Sequence, residues 1–442
     1  MRRQGLVIPL LILVAINILN FYDRHVAGAL AEPMRKEFHL SDTQLGLLGS
    51  IFTWLYAIVG VPLGRVADVW SRKKLLSIGI LVWTVLTAYA GLVTNFAGLA
   101  VSRLGVAVGE SVAAPAGTSW LGDLFPVTKR SRALAIFMLG VPVGGALSYF
   151  FSGPVAQAYG WRVAMMLAAA PAIVLIPVLW LIPEPVRGAS EIHAVRAHAV
   201  NTKPRGSMWS VLRIPTLWWI IASGVFVNFN MYAIGTFLPA MLSRIHGFSV
   251  ARAGIYTGCV YLIGGVSGAL CAGALGDRVI QRRRDGRLLY AAWIAALSAP
   301  FALLGIVLPQ GWTLVVVFAL AVAYAGLNSY YGLVYSSIQD IVPPSQRGTT
   351  MAIYFMLMYL CGASFGPLLT GKLSDYLARQ AAEAAGSAAV TEAFKAVGLQ
   401  QAMLVLPALS LCLGAVLWAG SRTISRDMDR REESLRAAVQ LS

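Results

Sequence analysis

Twelve stretches of this chain are apolar over about the length a helix needs to cross a bilayer, roughly 20 residues, and that recurrence limits the fold more than any other feature. In hydrocarbon the backbone must satisfy its own polar groups, which leaves helices or closed barrels. Unbroken apolar runs of this length are helices. They cover approximately 6 to 30, 44 to 67, 74 to 94, 97 to 124, 131 to 157, 161 to 183, 214 to 243, 251 to 276, 288 to 308, 312 to 339, 347 to 371 and 398 to 421, taken as spans 1 to 12. Only 12% of the residues are charged, against about 25% in soluble domains, so the reading is an all-α polytopic membrane protein.

A net charge of +16 would suggest nucleic acid in a soluble protein. Here the basic residues fall in alternate loops: Arg2 and Arg3, Arg65 with Arg72 to Lys74, Lys129 to Arg132, Arg187 to Arg213, Arg278 to Arg287, Arg347, and Arg422 to Arg436. That is the positive-inside bias, so both termini are expected in the cytoplasm, in a bacterial inner membrane, and no nucleic-acid partner is expected. The first span is too long for a signal-peptide core and is interrupted by Asp23-Arg24-His25, so it reads as a retained helix. Cys259, Cys271, Cys361 and Cys412 lie within spans without metal-type spacing and read as buried packing residues. No metal, no cofactor and no ATP-binding loop are expected.

The halves repeat. Gly64-Arg-Val-Ala-Asp68 at the end of span 2 recurs as Gly273-Ala-Leu-Gly-Asp277 at the end of span 8, and Asp123-Leu-Phe-Pro126 to Arg130 recurs as Asp340-Ile-Val-Pro343 to Arg347. The second pattern continues with Ala135-Ile136 answered by Ala352-Ile353 and Gly145 by Gly362. Two pseudo-symmetric six-helix bundles follow, at 1–183 and 214–424, joined by a cytoplasmic linker at 184–213 and followed by a cytoplasmic tail at 425–442.

Asp23 and Arg24 in span 1 and Arg103 and Glu110 in span 4 are ionisable side chains set deep within spans. Each costs roughly 2.5 to 3.5 kcal/mol at a bilayer centre, so such residues mark partners, cavities or ion pathways. If spans 1 and 4 pack together, the four form one polar cluster. An arginine moving toward or away from a carboxylate changes its affinity for protons, which would couple protonation to conformation. Asp23 and Glu110 are therefore the expected titrating groups, with Arg24 and Arg103 holding a head group or the ionised acids. His25 reads as a structural donor beside them.

Gly64, Asp68, Arg72 and Lys73, with Gly273 and Asp277 in the second copy, read as a conformational gate. Gly64 and Asp68 share a helix face, and Asp68, at a helix C-terminus where an anion is disfavoured, needs Arg72 or a neighbouring helix N-terminus. Glycines in spans 5, 8 and 11 (Gly140 to Gly145, Gly264 to Gly268, Gly362 to Gly366) read as hinges and packing seams. Span interiors of the second half offer amides and aromatic rings instead of charges. Asn228, Asn230, Tyr232, Tyr331, Tyr335 and Tyr359 are the candidate substrate contacts there. A charged wall and an aromatic wall together suit an amphiphile with a charged head.

The Gly64 to Lys73 motif, its copy and the six-plus-six repeat resemble the major facilitator superfamily over essentially the whole chain. Asn17-Ile-Leu-Asn20-Phe-Tyr-Asp23-Arg24-His-Val-Ala-Gly28, with Gly109-Glu110-Ser, Pro115 and Gly122-Asp123-Leu-Phe-Pro126, is similar to the spinster-type lipid transporters, whose members move sphingosine phosphate or lysophospholipids. The resemblance implies that Asp23 and Glu110 are proton-responsive acids and Arg24 a head-group or gating residue, in a monomer. The expectation is a proton-coupled, alternating-access transporter of a lipid-like amphiphile. A symporter of a small organic anion or sugar acid is the first alternative. A membrane-embedded lipid enzyme or receptor is the second, against which stands the lack of any nucleophile, histidine and acid set within the spans.

Overall fold

Among the described residues helix is the only regular structure. The structure is a computed structural model in which residues 4–186, 208–342 and 346–440 are described. Among them twelve helices are long and apolar enough to cross a membrane: Leu6–Ala29, Asp42–Ala67, Arg72–Ala90, Phe96–Leu124, Arg132–Tyr159, Trp161–Trp180, Pro215–His246, Val250–Arg282, Gly286–Val307, Thr313–Ile341, Thr350–Ala384 and Glu392–Glu433. These are spans 1 to 12 as observed. The first seven agree with the apolar runs to within a few residues. Spans 11 and 12 run well past them, because Leu377-Ala-Arg-Gln-Ala-Ala-Glu-Ala384 is a sequence of strong helix formers that is no longer apolar. The helix stops two residues before Gly386, which takes φ +67°.

Two units group the chain, Met1–Val200 with Gly235–Leu262 and Asn201–Ile234 with Ile263–Ser442. The chain thus divides inside spans 7 and 8 as well as between the halves. In the first unit Trp83, Trp120 and Phe137 are the large residues of the core. In the second the core is built on Leu288, Val334, Tyr354 and Leu413. Within a bilayer such cores gain from close packing more than from leaving water. Gly144 of span 5 lies so near span 1 that a Cβ there would sit 2.3 Å from the Ile18 carbonyl oxygen.

Several spans are broken where the sequence placed glycine and proline. Span 4 is two helices, Phe96–Glu110 and Ala113–Leu124, with Pro115 in the first turn of the second, where its missing N–H is harmless. Span 5 breaks at Leu139, ahead of Gly140 and Pro142. Spans 8 and 11 each contain a π-turn, Val260–Gly264 and Tyr359–Ala363. The π-turn adds a residue and corrects the repeat by one. Gly362, whose Cβ would lie 2.4 Å from the Val225 carbonyl oxygen, answers Gly144, whereas Gly145 faces Tyr261 and His25. The cysteines also differ from expectation: Cys259 is half-buried, and Cys271, Cys361 and Cys412 are exposed.

Span 12 continues as helix to Gln440. Its Asp427 accepts from the Thr216 N–H at 3.0 Å and the Thr216 hydroxyl at 2.6 Å. An acid thereby caps the first turn of span 7, where the helix dipole favours it. Farther along, Arg431 donates to the Asp340 carbonyl oxygen at 3.0 Å.

In the first unit Arg72 is fully buried and joins three segments. Its guanidinium reaches Asp123 and Ser119 of span 4, Glu184 beyond span 6 and the Pro185 carbonyl oxygen. Partial burial acts to raise the Glu184 pKa. Donation from the Ser71 hydroxyl, the Arg72 and Lys73 N–H groups and the Arg72 side chain outweighs that and holds the carboxyl below the usual range. Arg72→Ala takes one guanidinium donor from each of two carboxylates, and Arg72→Lys loses the planar fork. The expected loss for Arg72→Ala is about 3 kcal/mol, a fall in the melting midpoint on the order of 5 to 10 °C in detergent. A lowered folded pKa stabilises above the unfolded value of about 4.3 and fades as pH falls through the folded value. The midpoint difference between the parent and Glu184→Gln should accordingly be full at neutral pH and vanish in acid.

Candidate functional site

Charges buried in one helix must find compensation from its neighbours, and the first unit supplies it by packing spans 1, 2 and 4 around four ionisable side chains. Asp23, Arg24, Arg103 and Glu110 are all buried, Glu110 completely. Arg24 Nε donates to Glu110 Oε2 at 3.3 Å. Arg103 lies two turns earlier on span 4 than Glu110. It reaches the backbone of span 1, donating to the Asp23 carbonyl oxygen at 3.5 Å and the Arg24 carbonyl oxygen at 3.4 Å. The cluster expected from sequence is therefore assembled. Its pairing is between adjacent helices, since Asp23 and Arg24 diverge around their own helix.

Aromatic rings hold the arginines in place. The Arg24 guanidinium carbon lies 4.7 Å from the Phe21 ring centroid, 4.3 Å from Tyr56 and 5.4 Å from Phe52, and that of Arg103 lies 4.5 Å from Phe52. These are cation–π distances. Phe52 and Tyr56 are four apart on span 2 and share a face, a pattern visible in the sequence but not singled out there.

Unused hydrogen-bonding capacity remains. Asp23 Oδ1, Glu110 Oε1 and Arg103 Nε are buried without a hydrogen-bond partner among the described atoms. Buried acceptors and donors of this kind are expensive to leave unmade. Glu110 is also the last residue of its helix, so the backbone breaks immediately after the acid. His25 is oriented by its own helix, with Nδ1 2.8 Å from the Phe21 carbonyl oxygen, and packs edge-on against Tyr149 and Tyr261.

In the second unit several aromatic residues pack ring against ring. Tyr331 and Tyr335 rings lie 5.7 Å apart, Tyr335 meets Phe355 at 5.4 Å and Tyr354 at 5.8 Å, and Tyr232 meets Tyr359 at 6.1 Å. The Tyr331 hydroxyl donates to Asn228 Oδ1 at 3.2 Å, which ties one amide to the array. Asn230 is directed elsewhere, a correction to its grouping with the others. Two residues on from Asn228 it points to span 12, donating to Ser410 Oγ at 3.0 Å and the Leu406 carbonyl oxygen at 3.3 Å.

Some of the gate residues fall among the described ones. Arg72 is engaged as described above. Lys73 lies over the Trp180 ring at 5.4 Å, and a Cβ on Gly64 would meet the Pro115 side chain at 4.0 Å. Gly273 lies in the helix Gly265–Arg282. The side chains of Asp68 and Asp277 fall outside the described residues. Among the described residues no set of three or more His, Cys, Asp and Glu side chains is arranged to hold a metal ion.

This combination has known counterparts. The model of the Major Facilitator Superfamily matches residues 13–367. An MFS-type efflux pump of Mycolicibacterium smegmatis is 31% identical over 419 residues, covering 94% of this chain and 93% of its own. Human protein spinster homolog 1 is 26% identical over 399 residues, 85% of this chain and 74% of its own. The crystal structure of a bacterial homolog to the human lysosomal transporter Spinster, inward-facing and unoccupied, matches with a TM-score of 0.82 at 25% identity, over 97% of this chain and 99% of that one. With a family match across most of its length and twelve candidate spans, the chain belongs to the Major Facilitator Superfamily and is a spinster-like secondary transporter.

Proposed function

We propose that the protein couples proton movement to the transport of an amphipathic, lipid-like molecule with an anionic or zwitterionic head. The observation that carries this reading is the Arg24–Glu110 pair, a buried ion pair whose acid keeps one oxygen without a donor. Adding a proton to Glu110 removes the charge that holds Arg24, and removing the proton restores it. Asp23, with its own unfilled oxygen, is the second acid in reach of the same arginines. Arg24 and Arg103 then serve the head group, and the Tyr232, Tyr331, Tyr335 and Tyr359 rings with Asn228 serve the apolar part. The likeness to proteins named spinster supports a lipid-like substrate. The likeness to an efflux pump supports export. Membership of a transporter family sets aside the lipid-enzyme reading.

A compact organic anion, such as a sugar acid, is the second reading. It is favoured by the hydroxyls and the Asn228 amide of the aromatic array, which offer polar contacts that an acyl chain does not use. Ligand binding separates the two. A lysophospholipid or sphingoid phosphate at a hundredfold excess over its Kd should stabilise the folded protein by about 2.7 kcal/mol, and Arg24→Ala should remove that shift. Stabilisation by sugar acids alone would favour the second reading.

Coupling is tested in proteoliposomes. Glu110→Gln and Asp23→Asn mimic the protonated acids, and each should abolish flux driven by an imposed proton gradient while leaving substrate-induced thermal stabilisation in place. If gradient-driven flux persists in both variants, these acids are not the coupling groups.

A further inference from the structure

The second half of span 7 and the first half of span 8, Gly235–Leu262, group with the first unit rather than with the rest of their own helices. Each boundary falls at a weak point in a helix. In span 8 it lies inside the π-turn Val260–Gly264. In span 7 it lies at Gly235, four residues before Pro239. Proline has no N–H, so the carbonyl four residues earlier has no donor in its own helix. That carbonyl belongs to Gly235.

A residue from span 5 fills it. The Tyr149 hydroxyl donates to the Gly235 carbonyl oxygen at 2.6 Å. Tyr149 is fully buried, and its ring meets Tyr261 at 4.9 Å and His25 at 5.8 Å. The three rings therefore connect a hinge in span 7, the inner face of span 8 and the residue next to Arg24. Close backbone contact completes the seat. A Cβ on Gly28 would lie 2.3 Å from the Gly235 carbonyl oxygen, and one on Gly254 would lie 2.6 Å from that of Tyr149. At the tip of the hairpin Arg244 grips Asp42 through two bonds of 2.8 Å and Glu32 through one of 2.9 Å. Glu32 is also held by Arg35 at 2.7 Å.

We propose that Gly235–Leu262 is a gate that swings on Gly235 and on the π-turn of span 8, and that Tyr149 is the positioning residue that holds it shut. Its hydroxyl supplies the hydrogen bond that Pro239 withholds. When the hairpin leaves its seat, the Gly235 carbonyl gives up that donor and the Arg244 contacts separate. Counting spans from the N-terminus puts the tip on the membrane face opposite the termini. The proposal rests on the transport function that the family gives, and on neither the substrate nor the ion proposed above.

The test reads access to the seat. Thr257 is fully buried on the hairpin, between Gly254 and Tyr261 in sequence. With the four native cysteines replaced by serine, a Thr257→Cys reporter is exposed to a membrane-impermeant maleimide on the face opposite the termini. Tyr149→Phe keeps the ring, loses the donor and should label about fivefold faster, the worth of one hydrogen bond. Adding Pro239→Ala returns an N–H to the Gly235 carbonyl and should bring the rate back to near the parental value. A packing role for the ring would be blind to that second change. Tyr149→Phe labelling at the parental rate, or a double variant labelling as fast as Tyr149→Phe, overturns the proposal. Pro239→Ala alone, which leaves the seat intact and stiffens the hinge, should label more slowly than the parent. Faster labelling there also overturns it.

Discussion

The contact on which the first unit most depends is the one between Arg24 and Glu110. An arginine or a carboxylate taken out of water is tolerated only where an opposite charge meets it with good geometry, and removing one partner leaves the other uncompensated. Arg24 of span 1 is paired with Glu110 of span 4, and Arg103 of span 4 reaches the backbone of span 1, so the two spans cannot part without leaving a buried charge uncompensated. Phe52 and Tyr56 bring span 2 into the same contact through the faces of their rings. Close backbone packing at Gly144 then fixes span 5 against span 1. Where the first unit is held by charge, the second is held by rings and amides, because its spans carry almost no ionisable side chains in their interiors.

Much of this was legible in the sequence, for reasons that differ from feature to feature. The spans were readable because a bilayer allows few alternatives to helix, and the acids because charge is rare enough in apolar runs to stand out. The break in span 5 was signalled by Gly140 and Pro142, whereas that in span 4 was not read from the sequence. What stayed hidden depended on direction around a helix. Asn228 and Asn230 look alike in sequence, yet two residues rotate a side chain by about 200°, and only one of them meets the tyrosines. The partners of Arg72 were equally out of reach, since Asp123 and Glu184 are distant in the chain. Span 11 hid its extra residue because a π-turn changes register without leaving a compositional mark.

The helix ends show a related limit. Hydropathy locates the part of a helix that suits hydrocarbon, whereas helix itself continues as long as local propensity and capping allow. Span 12 illustrates both: its apolar run ends near Gly420, and its helix proceeds to Gln440. The polar continuation is functional as structure, since Asp427 supplies the cap that the first turn of span 7 would otherwise lack. A tail read from composition as a mere charged end is part of the second unit's framework.

A moving part needs contacts of a different strength from those of a framework. Cores and ion-pair clusters are stiff, and a transporter built only of them would rest in one state. To exchange two states at rates useful for transport, their free energies must lie within a few kcal/mol. A buried ion pair alone holds too firmly for this unless both charges find new partners or water. A single neutral hydrogen bond, worth about 1 kcal/mol net, is of the right order. Between Tyr149 and Gly235 the chain has such a bond at the point where Pro239 has already weakened the helix. The arginine contacts at the hairpin tip are themselves buried, but they lie at the ends of spans 2 and 7, where a charge that leaves its partner has a shorter path to water and head groups than one in mid-span. Strength is thus graded along the hairpin, weak at the hinge and strong only where solvent can replace what is broken.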